Sequence, residues 1–213
     1  DFYTQRKWEV TKIEKHSVFI HQATYPIKGL HIVLDALNIL KDKYPDIKLY
    51  ISGNNFMDRN SLKKRILSTG YSNYILKKIK KYKLKPYICF TGVLNSQELV
   101  DKLRMTHVAL IPSAIENSPN SLAEAMLVGT PIVASYVGGV PDMLKDKEEG
   151  FLYCYNDPGM LATYISKIFE SDELASYFSN NSRKTAWKRH DPLQLENTLI
   201  DIYDVTGKSP KKG

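Results

Sequence analysis

Ile111-Pro112-Ser113-Ala114-Ile115-Glu116-Asn117-Ser118-Pro119-Asn120-Ser121-Leu122-Ala123-Glu124-Ala125-Met126 reads as the end of a strand, a loop and the start of a helix. The apolar run Val108 to Ile111 that feeds it has the length and density of a central strand. Ser118 is a good N-cap, which puts Pro119 at the first helical position, where a helix tolerates a missing N–H best. A helix start leaves backbone donors open, here those of Asn120 and Ser121, and its dipole favours an anion such as phosphate. Glu116 stands just before that mouth. Glu124 lies one turn inside and shares a face with Asn120 and Ser121. Two carboxylates thus flank one anion-sized notch. Carboxylates suit vicinal hydroxyls and backbone N–H groups suit phosphate, so sugar, phosphate and ribose are the implied ligand parts.

On either side of this stretch, strands and helices alternate. Ser17 to Ile20 is a strand candidate, followed by a turn with Pro26 and a helix carrying Leu30, Val33, Leu34, Leu37 and Leu40 up to Tyr44-Pro45. Ile47 to Ser52 is a second strand, closed by Gly53-Asn54-Asn55. From Ser61 a lysine-rich helical region follows, with Leu62, Ile66, Ile75, Leu76 and Ile79 and a dividing Gly70. Tyr87 to Phe90 is a third strand, and Asn95 with Glu98 forms a capping box for the next helix. After Gly129, Pro131 to Ser135 is the fifth strand, Gly138-Gly139 a loop able to approach a ligand closely, and Gly150 to Cys154 the sixth strand. Helices follow from Asp157-Pro158, around Tyr177 to Trp187 and from Pro192 to Tyr203. This alternation predicts an α/β fold, a doubly wound parallel sheet covered on both faces. Ligands of such sheets bind beyond the carboxyl ends of the strands where strand order reverses, so the loops after the strands gather on one rim.

The chain of 213 residues with 43% hydrophobic content can bury a full core, and 25% charged residues argues against wholesale disorder. Residues 1–15 read as a linker from another part of a larger protein, 16–206 as one folded domain and 207–213 as a flexible basic tail. The formal charge of +7 suits anionic partners without naming one. Cys89 and Cys154 have no metal or redox spacing and read as core thiols in a reducing compartment. No membrane-length apolar run or signal pattern occurs, which points to the cytoplasm, at most at the inner face of a membrane. The five histidines show no ligand spacing, so no metal site is expected. His21 faces either the rim or the core. Lys77, Lys78, Lys80, Lys81, Lys83 and Lys85 fit a solvated amphipathic face, and the aromatic residues show no nucleic-acid signature. Dinucleotide, P-loop and nucleophile-elbow motifs are all missing.

Lys28 stands at the start of a helix, where the dipole disfavours a cation by up to about 1 kcal/mol. It is either a solvated lysine or one that meets an anion shared with a second helix N-terminus.

These residues resemble the C-terminal, donor-binding domain of GT-B glycosyltransferases of family 4, or group 1. The resemblance rests on Lys28-Gly29, Phe90-Thr91-Gly92, Pro112-Ser113, the Glu-x7-Glu pattern from Glu116 to Glu124, Glu124-Ala125-Met126 with Gly129-Thr130-Pro131, and Gly138-Gly139. It implies a Rossmann-like half of a GT-B enzyme and a hexosyltransferase type of reaction. A glycosyl group passes from a nucleotide diphosphate sugar, UDP- or GDP-linked, to an acceptor with retention of configuration and no cofactor, in polysaccharide or glycoconjugate synthesis.

By the resemblance, Glu124 holds the ribose, Ser121 and Leu122 offer N–H groups to the diphosphate, and Lys28 neutralises it. Thr24 is an alternative donor, Val93 lies beside the base, and Glu116 with Asn117, Ser118 and Asn120 holds the transferred sugar. Glu116 and Lys28 are the catalytic candidates. The acceptor, a sugar or lipid-linked glycan, would meet the missing N-terminal domain, without which the fragment is expected to be inactive; peripheral membrane contact stays open. Many relatives place an arginine five residues before the lysine, where this chain has Ala23. That departure keeps a second reading open, a non-catalytic sugar-nucleotide-binding or interaction module.

Overall fold

The computed structural model describes residues 3, 6–53, 55 and 70–207. Six strands alternate with helices along them: β1 Glu14–Ile20, α1 Leu30–Leu40, β2 Lys48–Ser52, α2 Gly70–Lys81, β3 Ile88–Gly92, α3 Ser96–Met105, β4 Thr106–Ile111, α4 Asn120–Val128, β5 Ile132–Ser135, α5 Val140–Met143, β6 Phe151–Tyr153, α6 Pro158–Phe169, α7 Asp172–Arg189 and α8 Pro192–Gly207. The sheet order is β3-β2-β1-β4-β5-β6, and every neighbouring pair is parallel. This is the expected doubly wound sheet. Order reverses between β1 and β4, whose residues pair as Val18 with Val108, Phe19 with Ala109 and Ile20 with Leu110.

The sheet is parallel because its strands are apolar on both faces. All six residues of β4 and all four of β5 are buried, and helices cover the two sides. Helices α1, α2 and α6 pack together, as do α3, α4 and α7. Local chemistry sets several boundaries. Asn95 and Glu98 close the capping box of α3, and Asp157 accepts the Met160 N–H at 2.8 Å ahead of Pro158 at the start of α6.

Three expectations change, and two others fall outside the described residues. Strand β1 begins at Glu14, and Trp8 is 2% exposed, with Nε1 donating to the Thr106 carbonyl at 2.8 Å and its N–H to that of Val128 at 2.9 Å. Residues 6–15 are therefore part of the domain rather than a free linker, because an indole this size is the largest side chain the core takes up. Cys154 is exposed and Cys89 half-buried, so neither is a core thiol. Ser118 does not cap α4. That helix starts at Asn120 with Pro119 as an extended N-cap, and the Ser118 hydroxyl instead meets Met143 Sδ at 3.6 Å. Finally, Leu62 and Ile66 lie outside the described residues, as do residues 208–213 of the expected tail.

Helix α2 buries Ile75 and Ile79 and pairs Lys78 with Asp35 at 2.6 Å. Lys77, Lys80, Lys81, Lys83 and Lys85 are exposed, as a surface helix and its outer turn require. No helix among the described residues is long and apolar enough to cross a membrane.

Trp8→Ala removes a buried indole and a buried hydrogen bond, and is expected to cost about 3 to 5 kcal/mol. Urea unfolding measures it; a wild-type midpoint would mean that residues 6–15 are not part of the folded unit.

Candidate functional site

Two loops meet at the reversal of strand order. The chain leaving β1 runs through His21 to a 3-10 turn, Pro26–Lys28, before α1. The chain leaving β4 runs from Pro112 to Pro119 before α4. They are fastened together. Gly29 has φ 72°, and a Cβ built there would sit 1.8 Å from the Pro112 carbonyl oxygen, so only glycine allows the approach. The Ala114 N–H then donates to the Ile27 carbonyl at 2.8 Å. Lys28 is thereby carried to Glu116, and its Nζ donates to Oε1 at 2.5 Å.

Glu116 is set from behind by hydroxyls. Ser113 donates to the same Oε1 at 2.7 Å, and the buried Ser135 hydroxyl contacts the carbonyls of Ser113 at 2.5 Å and Ile111 at 3.2 Å. No donor among the described residues reaches Oε2, which remains open to a ligand hydroxyl. Gly138 and Gly139 act on the loop itself. A Cβ at either would lie within 2 Å of the Glu116 or Asn117 carbonyl oxygen. The Gly139 N–H donates to the Glu116 carbonyl at 3.1 Å. The glycine pair thus supports the Glu116 loop, where a direct approach to ligand was expected.

A cavity of about 360 Å³ lies between these parts, lined by His21, Gln22, Lys28, Glu116, Ser118, Pro119, Asn120, Ser121 and Glu124. The N–H groups of Asn120 and Ser121 have no partner among the described residues and open at the start of α4. Leu122 is different, because its N–H donates to the Pro119 carbonyl at 3.0 Å and its side chain is buried. The open donors are therefore Asn120 and Ser121, one residue earlier than the resemblance implies. Burial holds the Glu124 carboxyl above its usual range, and its Oε1 accepts from the Tyr3 hydroxyl at 3.2 Å.

Of the expected site residues, Lys28, Glu116, Ser118, Asn120, Ser121 and Glu124 come together in this cavity. Thr24, Val93, Asn117 and Leu122 do not line it. Thr24 lies against Gly53, where its Cγ2 is 3.7 Å from an added Cβ. Val93 is 78% exposed at the end of β3, and Asn117 turns its carbonyl to Gly139. Ala23 is fully buried, so the position five residues before Lys28 faces the core. Besides His21, the loop residue that reaches the cavity ahead of Lys28 is Gln22. No spacing in the sequence singles it out, since only its φ of 52° turns it there. His21 faces the rim, not the core, and burial followed by the nearby Lys28 charge holds its imidazole below the usual range. Among the described residues no group of three or more His, Cys, Asp or Glu is placed to hold a metal ion.

Comparison with known proteins follows the same outline. The family model of the glycosyl transferases group 1 matches residues 4–185. An uncharacterized glycosyltransferase of Methanocaldococcus jannaschii is 23% identical over 192 residues, covering 90% of this chain and 45% of the relative. A D-inositol 3-phosphate glycosyltransferase of Corynebacterium urealyticum is 24% identical over 200 residues, covering 88% of this chain and 42% of the relative. The chain spans less than half the length of these curated relatives. Among solved structures, Anabaena HepE in complex with UDP superposes with a TM-score of 0.75 at 21% identity, over 92% of this chain and 50% of that one. The C-terminal domain of a group 1 glycosyl transferase from Francisella tularensis gives 0.68 at 20% identity, over 89% and 93%.

A carboxyl raised by burial binds its proton more tightly in the folded chain, so its stabilising effect is greatest at acid pH and is lost as pH rises through the folded-state value. Glu124→Gln should therefore raise the urea midpoint at pH 7 and change it little below about pH 4, where both states are protonated. Equal midpoints at pH 7 would contradict this.

Proposed function

The chain belongs to the glycosyl transferases group 1 family, and from that premise we propose that it is the donor-binding part of a retaining glycosyltransferase that uses a nucleoside diphosphate sugar. The observation that carries this reading is the cavity itself, where one lysine, two open helix N–H groups and two carboxylates converge. Phosphate oxygens take the N–H groups of Asn120 and Ser121 together with Lys28. Glu124 accepts from the ribose hydroxyls, and Glu116 accepts from a hydroxyl of the transferred sugar through Oε2. Lys28 exchanges part of its contact with Glu116 for the diphosphate when the donor enters. The UDP-bound HepE structure makes uridine diphosphate sugars the first donors to test, with guanosine diphosphate sugars the next.

In the reaction, the bond from the anomeric carbon to the diphosphate oxygen breaks and a bond to an acceptor hydroxyl oxygen forms on the same face. The nucleoside diphosphate leaves with the bonding pair, and its departing oxygen takes up the proton that the acceptor hydroxyl loses. Lys28 and the start of α4 are aimed where that negative charge develops, which is the place where fixed dipoles lower a barrier most. A hexosyl group, an acceptor sugar or lipid-linked glycan, and a role in polysaccharide or glycoconjugate synthesis complete the reading. The acceptor would be met by a second domain, and the chain alone would not turn over.

Calorimetric titration with UDP, GDP and ADP is expected to show binding of at least one, and none at millimolar ligand would refute the reading. Lys28→Ala is expected to weaken binding by roughly ten- to a hundred-fold, the value of one hydrogen bond between charged groups. Glu124→Ala should weaken the free nucleotide and the nucleotide sugar alike, whereas Glu116→Ala should weaken the nucleotide sugar more than the free nucleotide. A complete polypeptide that binds the donor but transfers nothing would instead make this a sugar-nucleotide-binding module.

A further inference from the structure

Ser52 ends β2 where the register between β2 and β3 shifts, and it is 1% exposed. Its Oγ accepts the Gln22 N–H at 3.1 Å and lies 2.8 Å from His21 Nδ1. A buried hydroxyl hydrogen needs an acceptor, and Nδ1 is the one within reach of this hydroxyl among the described residues. The Ser52 O–H therefore donates to Nδ1. A neutral imidazole that accepts at Nδ1 carries its proton at Nε2. His21 lines the cavity, and its imidazole lies close enough to Lys28 for that charge to disfavour protonation.

The same hydroxyl also holds the backbone. Gln22 has φ 52°, a left-handed conformation that a non-glycine residue keeps only where its surroundings impose it. Its N–H bond to Ser52 is such a constraint, and it turns the loop so that His21 and Gln22 both reach the cavity. One side chain from β2 thus sets two residues of the β1 loop.

We propose that His21 is a binding residue of this cavity, held by Ser52 as the neutral Nε2–H tautomer and donating a hydrogen bond to the diphosphate beside Lys28. This rests on the nucleoside diphosphate reading above. The charged groups that line the cavity with it are Lys28, Glu116 and Glu124, and Glu116 is engaged by Lys28. Burial and the Lys28 charge both disfavour an imidazolium, so the ring is uncharged at neutral pH in the ligand-free chain. An uncharged donor does not compete with Lys28 for the same counter-charge. It also strengthens as negative charge builds on the leaving diphosphate. Ser52 touches no ligand in this scheme and acts as the positioning residue.

The test has two arms. In the histidine-15N-labelled chain at pH 7, with His21 assigned by the signal lost in His21→Gln, the ring proton should reside on Nε2. Ser52→Ala should mix the two tautomers and Ser52→Thr should restore the single one. A proton on Nδ1, or an imidazolium at pH 7, would overturn the proposal. In the second arm, UDP titration of His21→Ala should show about ten-fold weaker binding, the loss of one hydrogen bond to a charged group. Ser52→Ala should weaken binding by less, with recovery in Ser52→Thr. Wild-type binding that His21→Ala leaves unchanged overturns the role of His21 alone. A wild-type chain that binds no nucleoside diphosphate overturns the functional reading and this role with it.

Discussion

The site depends on one close approach, that of the Gly29 backbone to the Pro112 carbonyl. The parallel pairing of β1 with β4 brings the two loops to the same end of the sheet, but pairing fixes only the strands. What brings the loops within side-chain reach is a residue without Cβ in a left-handed conformation, followed by the bond from Ala114 to Ile27. From there the consequences run outward in a chain. Lys28 meets Glu116, Glu116 is oriented by Ser113, and Ser113 is held by the buried Ser135 of β5. Gly138 and Gly139 complete the support from beneath the loop. Three strands and three glycine contacts therefore locate a single carboxylate.

The fold was legible because its signals are local and redundant. Apolar runs of strand length, helical spacing in Leu30 to Leu40 and the capping box at Asn95 each state the same alternation. The sequence was a poorer guide to Trp8, since a tryptophan in a polar segment carries no period and its burial is decided by Thr106 and Val128, far away in the chain. The site divided in the same way. Lys28, Glu116, Asn120, Ser121 and Glu124 lie in short motifs whose spacing survives folding. Gln22 was hidden because a single left-handed residue shifts which side chain faces the cavity, and Ala23 consequently turns inward. Ser118 was misread because Pro119 takes an extended conformation and delays the helix by one residue.

The Lys28–Glu116 pair bears on how the cavity handles charge. Glu116 is mostly buried and Lys28 only partly so, at 13% and 28% side-chain exposure. A carboxylate in such a place needs a partner, and truncating either member would leave the other charged and poorly solvated. On the proposed reading, the free site is preorganised by a pairing that the ligand must share. The second lone-pair-bearing oxygen of Glu116 makes that possible without emptying the first, since Ser113 continues to donate to Oε1. The carboxylate keeps its orientation while the lysine turns towards phosphate.

Size sets a further constraint on how a nucleotide sugar would lie. The cavity, at about 360 Å³, is near the lower end of small-molecule pockets, which run from roughly 300 to 1,000 Å³. Its lining is almost wholly polar: a histidine, a glutamine, a lysine, two carboxylates, two serines and an asparagine, with Pro119 as the one apolar side chain. Such a lining suits the diphosphate and the hydroxyls flanking it better than an aromatic base. On the proposed reading, a base attached to that centre would extend along the rim, past the end of β3. On that reading Val93, exposed at the end of β3, would belong to the outer path, as would Thr24 beside Gly53. The separation gives the proposed site two parts governed by different physics. The inner part fixes charge through short, buried, mutually supporting bonds, and the outer part would select a base through an exposed apolar contact, which is weaker and more easily altered by substitution.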